Sequence, residues 1–128
     1  MGNPICENMK TGTIGELLVQ TRLLQYGVQA APPLKDSGND LIAILGESFR
    51  GVQVKTTKTH NLVWPDLPDH YHILALIDLF GEDNDLYLDA TNVYLIPRSA
   101  VRTFPCNTDN LHPYTISQAL IDQLFDNT

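Results

Sequence analysis

Residues 38–57 read GNDLIAILGESFRGVQVKTT, and the alternation inside them decides the fold class. Leu41 to Leu45 is a short apolar strand behind a turn cluster, Asp36-Ser37-Gly38-Asn39, whose Gly and Asn tolerate positive φ. After Gly46-Glu47 a longer run, Phe49 to Thr57, sets Val52 and Val54 against Gly51, Gln53 and Lys55. That period of two puts Gln53 and Lys55 side by side on one strand face. Upstream, Val28 to Ala31 is halted by Pro32-Pro33 and reads as a strand that hairpins with the Leu41 run.

Working outward, Thr13 to Tyr26 (TIGELLVQTRLLQY) is rich in helix formers and stops at Gly27, so it predicts a helix. Its apolar residues fall nearly all round the wheel, which predicts a core helix buried on several sides. The first ten residues read as a lead-in. Downstream, HNLVWPDLPD over 60–69 is a Pro-containing loop and Tyr71 to Phe80 a long strand. An acidic turn spans Gly81 to Asp85, strands follow at Leu86 to Leu88 and Val93 to Ile96, and Pro97 opens a short helix through Arg102. A loop fills 104–113, and Ile116, Leu120, Ile121 and Leu124 mark a C-terminal helix at about 116–126, begun near Ser117. This order predicts one α/β domain over 1–128, a central mixed sheet flanked by helices.

The chain has 128 residues, 43% hydrophobic and 18% charged, enough for a single globular core. Its formal charge of −7 argues against a nonspecific DNA coat or a polybasic membrane binder. The charge is unevenly spread. Residues 1–60 hold six basic and five acidic side chains, whereas 61–128 hold two basic and ten acidic ones. Cys6 and Cys106 outline neither a disulfide framework nor a zinc site and read as free thiols. No signal-like h-region or membrane-length apolar run is present, so a cytoplasmic location is expected.

Three features of the first half stand together: Gly15-Glu16 in the helix, Gly38-Asn39-Asp40 at the hairpin, and Gln53-Val54-Lys55 thirteen residues after Asp40. In order and type, residues 12–57 resemble the PD-(D/E)XK nuclease superfamily, whose core is a helix followed by strands carrying an Asp and an (E/D/Q)xK tripeptide. The resemblance implies a restriction-endonuclease-like fold, with Asp40 as metal-bridging aspartate, Lys55 as motif lysine, Gln53 at the variable ligand position and Glu16 as helix glutamate. Gln53 departs from the usual carboxylate, which lowers the expected metal affinity or the number of metals bound.

Phosphodiester hydrolysis needs an activated water, neutralised phosphate oxygens and a stabilised leaving oxygen, all of which a hard cation assists. Mg²⁺, with Mn²⁺ as substitute, suits Asp40, the Gln53 amide oxygen, the Val54 carbonyl and Glu16 as oxygen ligands. Lys55 then orients the water or offsets charge. Thr56, Thr57 and Lys58 follow on the same strand end as candidate phosphate contacts. The expected function is a metal-dependent DNA endonuclease acting as a homo-oligomer, because one small subunit carries one centre. The alternative is a nuclease-like module that binds nucleic acid or a protein without cutting.

Each residue also has an ordinary reading. Thr13-x-x-Glu16 matches a capping box, Asp40 a turn residue, and Gln53 with Lys55 the wet face of a strand. Trp64 reads as core packing before base stacking, and His70 with His72 as an incomplete metal pair lacking a third ligand. Arg98 and Arg102 are further candidates for reaching phosphates.

Overall fold

The computed structural model describes residues 5–35, 38–82 and 84–126. A long helix, α1 (Glu7–Gln25), is followed by β1 (Gln29–Ala31), β2 (Leu41–Leu45), β3 (Ser48–Thr57) and β4 (Ile73–Asp78). A two-stranded ribbon, β5 (Gly81–Glu82) with β6 (Asp85–Leu86), precedes β7 (Asn92–Pro97), α2 (Thr108–Leu111) and α3 (Gln118–Leu124). The main sheet runs β1-β2-β3-β4-β7, antiparallel throughout except for the parallel pair β3 and β4. The expected central mixed sheet with flanking helices is therefore the observed one.

β2 and β3 close over Gly46-Glu47, with Gly46 at φ 60° in the first central position, where a non-glycine side chain would be strained. The turn expected at 36–39 lies partly on Asp36 and Ser37, outside the described residues. β4, between β3 and β7, is buried along its whole length. Strand periodicity divides its side chains between two cores. Ile73, Ala75 and Ile77 join Val52, Val19, Leu23, Ile121 and Leu124 beneath α1 and α3. Leu74 and Leu76 join Tyr94, Ile96, Tyr71 and Leu111 on the other face. That second face has no long helix. It is covered by Leu62, Trp64 and Leu67 from the β3–β4 crossover and by the segment around Phe104.

Several expectations are corrected. α1 begins at Glu7, within the supposed lead-in, and the side chain of its N-cap, Cys6, accepts no capping bond. Thr13 and Glu16 lie inside the helix, so the pair is not its capping box. The first turns escape notice in the sequence because they carry no apolar stripe; Glu7 instead pairs with Lys58 at 3.2 Å and Lys10 at 3.9 Å. α1 is not buried all round. Gly15, Val19 and Leu23 form its buried face, while Leu17 and Leu24 are 55% and 63% exposed.

The strand expected at Leu86 to Leu88 is only the exposed β6, detached from the main sheet. The Pro97 to Arg102 helix is one 3₁₀ turn, Arg98–Ala100. The 104–113 loop contains α2, whose N-cap Asn107 accepts from the Asn110 N–H at 2.9 Å, and the 3₁₀ turn His112–Tyr114. α3 begins as expected after Ser117, whose Oγ accepts from the Leu120 N–H at 3.2 Å.

Candidate active site

β2 begins at Leu41, opposite Val52, and beyond that pair β3 has no strand on that edge among the described residues. The Asp40 N–H donates to the Val52 carbonyl at 3.1 Å as the last backbone bond between them. Asp40 then continues the ladder with its side chain. Its Oδ2 accepts from the Val54 N–H at 2.8 Å and from Gln53 Nε2 at 3.1 Å. Because a strand residue sends N–H and C=O to the same edge, the Val54 carbonyl faces the same opening. The Oε1 of Gln53 is buried and has no hydrogen-bond partner among the described residues.

Glu16 arrives from α1. A Cβ at position 15 would overlap Thr56 Oγ1, so only glycine lets the helix settle this close to β3. One residue on, Glu16 is half-buried at the rim, and its carboxyl is pushed above the ordinary range, first by burial and then by the charge of Asp40. Glu16, Asp40, Gln53, Val54 and Lys55 line one cleft of about 580 Å³. The four residues singled out in the sequence are thus brought together, with Lys55 exposed.

The opposite wall of the cleft comes from the crossover and includes Trp64, Pro65 and Asp66. Trp64 packs edge-on against Phe104 and donates to its carbonyl at 2.9 Å, the packing role expected for it. Arg102 donates to the Pro65 carbonyl at 2.6 Å. Asp66 is a third carboxylate on this cleft that sequence reading missed. It sits in a Pro-rich loop without periodicity, and only the need for a crossover between parallel strands hints at its location. Among the described residues, no three His, Cys, Asp or Glu side chains gather as a metal site on their own. A complete oxygen set here draws on the amide and main-chain oxygens as well.

The expected phosphate contacts do not form one surface. Thr56 points to the opposite face, its Oγ1 buried against Gly15 and unpartnered among the described residues. Thr57 Oγ1 bonds Thr59 Oγ1 at 3.1 Å, and Lys58 turns away to Glu7. His70 and His72 line a different cleft, where His72 Nδ1 accepts from the Gly51 N–H at 2.8 Å. Cys6 and Cys106 are free thiols, and burial pushes Cys106 up.

No family model matches this chain, and no curated protein matches it. Among solved structures it is similar to a bacterial homing endonuclease, I-Ssp6803I, with 20% sequence identity and a TM-score of 0.66, over 98% of this chain and 95% of that one. At that identity the likeness establishes the fold alone. Among the described residues no helix is long and apolar enough to cross a membrane.

Proposed function

We propose that this chain is a divalent-metal-dependent DNA endonuclease of the PD-(D/E)XK type, with Glu16, Asp40, Gln53 and Lys55 as its active centre. The observation that carries the reading is the Oε1 of Gln53, buried and without a partner among the described residues, beside the Asp40 carboxylate where β3 parts from β2. A buried polar oxygen without a partner is costly. Two carboxylates, an amide oxygen and a main-chain carbonyl share one kind of partner, a hard cation. The donor set therefore fits Mg²⁺ or Mn²⁺, held by Asp40, Gln53 Oε1, the Val54 carbonyl and Glu16. When bound, such an ion supplies charge neutralisation at the phosphate and a more acidic water.

The chain's own residues do the rest. Two donors fix the Asp40 carboxylate in one orientation, so it presents its other oxygen to the cleft without reorganising. Lys55 brings three N–H donors and a positive charge to where negative charge develops on the phosphate. Glu16, half-buried at the rim of the same cleft, would reach the ion directly or through a water. DNA as substrate is supported by the fold shared with a homing endonuclease. Since each chain carries one such centre, cutting both strands calls for a symmetric homo-oligomer.

The test is cleavage of supercoiled plasmid in Mg²⁺ or Mn²⁺ by the wild type, Asp40→Ala and Lys55→Ala. Cleavage by the wild type alone is expected; equal cleavage by all three would overturn the assignment. If the wild type cuts nothing and calorimetry with Mg²⁺ or Mn²⁺ gives no heat, the chain is instead a noncutting module on the same fold.

A further inference from the structure

On the other side of the Asn39-Asp40 step lies a second cleft, of about 490 Å³. It opens where β4 starts and β7 ends, and its polar lining includes Asn39, Arg50, His70, His72, Arg98 and Ser99. In a chain of net charge −7, no carboxylate among the described residues lines it. Neither arginine is in an ion pair among the described residues. Arg50 uses Nε to hold the Leu124 carbonyl at 3.0 Å and one terminal nitrogen to hold the Phe49 carbonyl at 3.0 Å, which leaves three of its five N–H groups. Arg98 lies over the Tyr71 ring, 5.5 Å from its centroid, so its guanidinium is steered by stacking. Because His72 Nδ1 accepts the Gly51 N–H, a neutral His72 carries its proton on Nε2 and is a donor as well.

We infer that this cleft binds a backbone phosphate of the DNA strand held in the neighbouring active site, an inference that rests on the nuclease reading above. Guanidinium groups, a neutral imidazole N–H and a hydroxyl are all donors to a phosphate oxygen, and arginine's planar fork matches its geometry. The spacing fits. His72 is fixed to Gly51 on β3, and Gly51 precedes Gln53 by two residues of extended chain, about 7 Å. Neighbouring phosphates of one DNA strand lie about that far apart through space, because the backbone winds around the duplex axis as it rises by about 3.4 Å per step. The phosphate in this cleft is therefore a near neighbour, on the same strand, of the one beside Asp40, and it fixes the register of the strand without reading its sequence.

The experiment follows binding of a fluorescein-labelled duplex by anisotropy in Ca²⁺ over a salt series, alongside steady-state plasmid cleavage. It compares the wild type with Arg98→Ala, Arg98→Lys and Ser99→Glu, all at exposed positions, with thermal melts to verify folding. Arg98→Ala is expected to weaken binding several-fold and to lower the slope of log affinity against log salt by about 1. Arg98→Lys restores the slope, and Ser99→Glu weakens binding by introducing a like charge. In cleavage, KM rises while kcat stays near the wild-type value. Wild-type affinity and slope in both Arg98→Ala and Ser99→Glu, with the wild type still binding and cutting, would overturn the inference and leave the nuclease reading intact. A wild type that neither binds nor cuts DNA would overturn both.

Discussion

The two faces of the sheet are built on different principles. Under α1 and α3 the side chains of β3, β4 and β7 meet a regular helical layer in one continuous apolar core. On the opposite face the row Gly51, Gln53, Lys55 is polar, and its cover is an irregular crossover held by a few specific bonds, such as Trp64 to Phe104 and Arg102 to Pro65. The first face supplies stability. The second buries a smaller apolar cluster around Leu74, Tyr94 and Leu111 and, where β3 parts from β2, holds a carboxylate, an amide and a lysine beside open space.

The contrast is broken most severely at its apolar side. Leu23→Ala, at 1% exposure beneath α1, is expected to cost about 2–5 kcal/mol in a urea melt. A loss well under that range would mean the helical face does not dominate stability. Next, Lys55→Ala should lower kcat by about 10²–10³-fold while leaving the urea midpoint nearly unchanged, because the side chain is exposed. Parallel losses of fold and rate would erase the division of labour. Smaller again, Trp64→Phe removes one hydrogen bond to the Phe104 carbonyl, so a cost of about 1 kcal/mol is expected in the same melt. A neutral result would show that ring packing alone holds the crossover.

The smallest effect concerns Glu16, whose carboxyl is raised by burial and then by Asp40. With its value higher in the folded chain than in the unfolded one, the folded state holds more protons between the two values. Stability therefore falls as pH rises through that window, and above it the penalty is constant. Glu16→Gln removes the fall, so thermal melts between pH 4 and 7 should show the variant gaining on the wild type with rising pH. Curves that stay parallel would mean Glu16 is relaxed in its site.

Much of this arrangement was legible in the sequence, because local periodicity governs it. Val52 and Val54 alternating with Gln53 and Lys55 are enough to place the polar row, and Gly-Asn-Asp before an apolar run marks where the neighbouring strand begins. The same parity also puts Thr56 with the valines, so its absence from the cleft was readable from the alternation that grouped Gln53 with Lys55. What lay beyond reach depends on contacts distant in sequence. Asp66 and Trp64 reach the site only because β3 and β4 pair in parallel, and Arg50, His72 and Arg98 share a cleft only once β4 and β7 are in register. The opening turns of α1 were hidden because charge pairs, and no apolar stripe, hold them to Lys58.

The two-residue closure at Gly46-Glu47 also bears on the order of assembly. Loop-closure entropy grows with the length of chain enclosed, so the β2–β3 hairpin is among the cheapest contacts in the molecule to form. The parallel pairing of Val52 with Ile73 encloses a far longer segment, and such nonlocal pairings slow folding. Asp40, Gln53, Val54 and Lys55 all travel with the hairpin, whereas the crossover wall and the arginine cleft arrive with β4 and β7. The proposed active centre thus lies mostly in the locally encoded part of the chain, and the proposed phosphate cleft is completed only with the global fold.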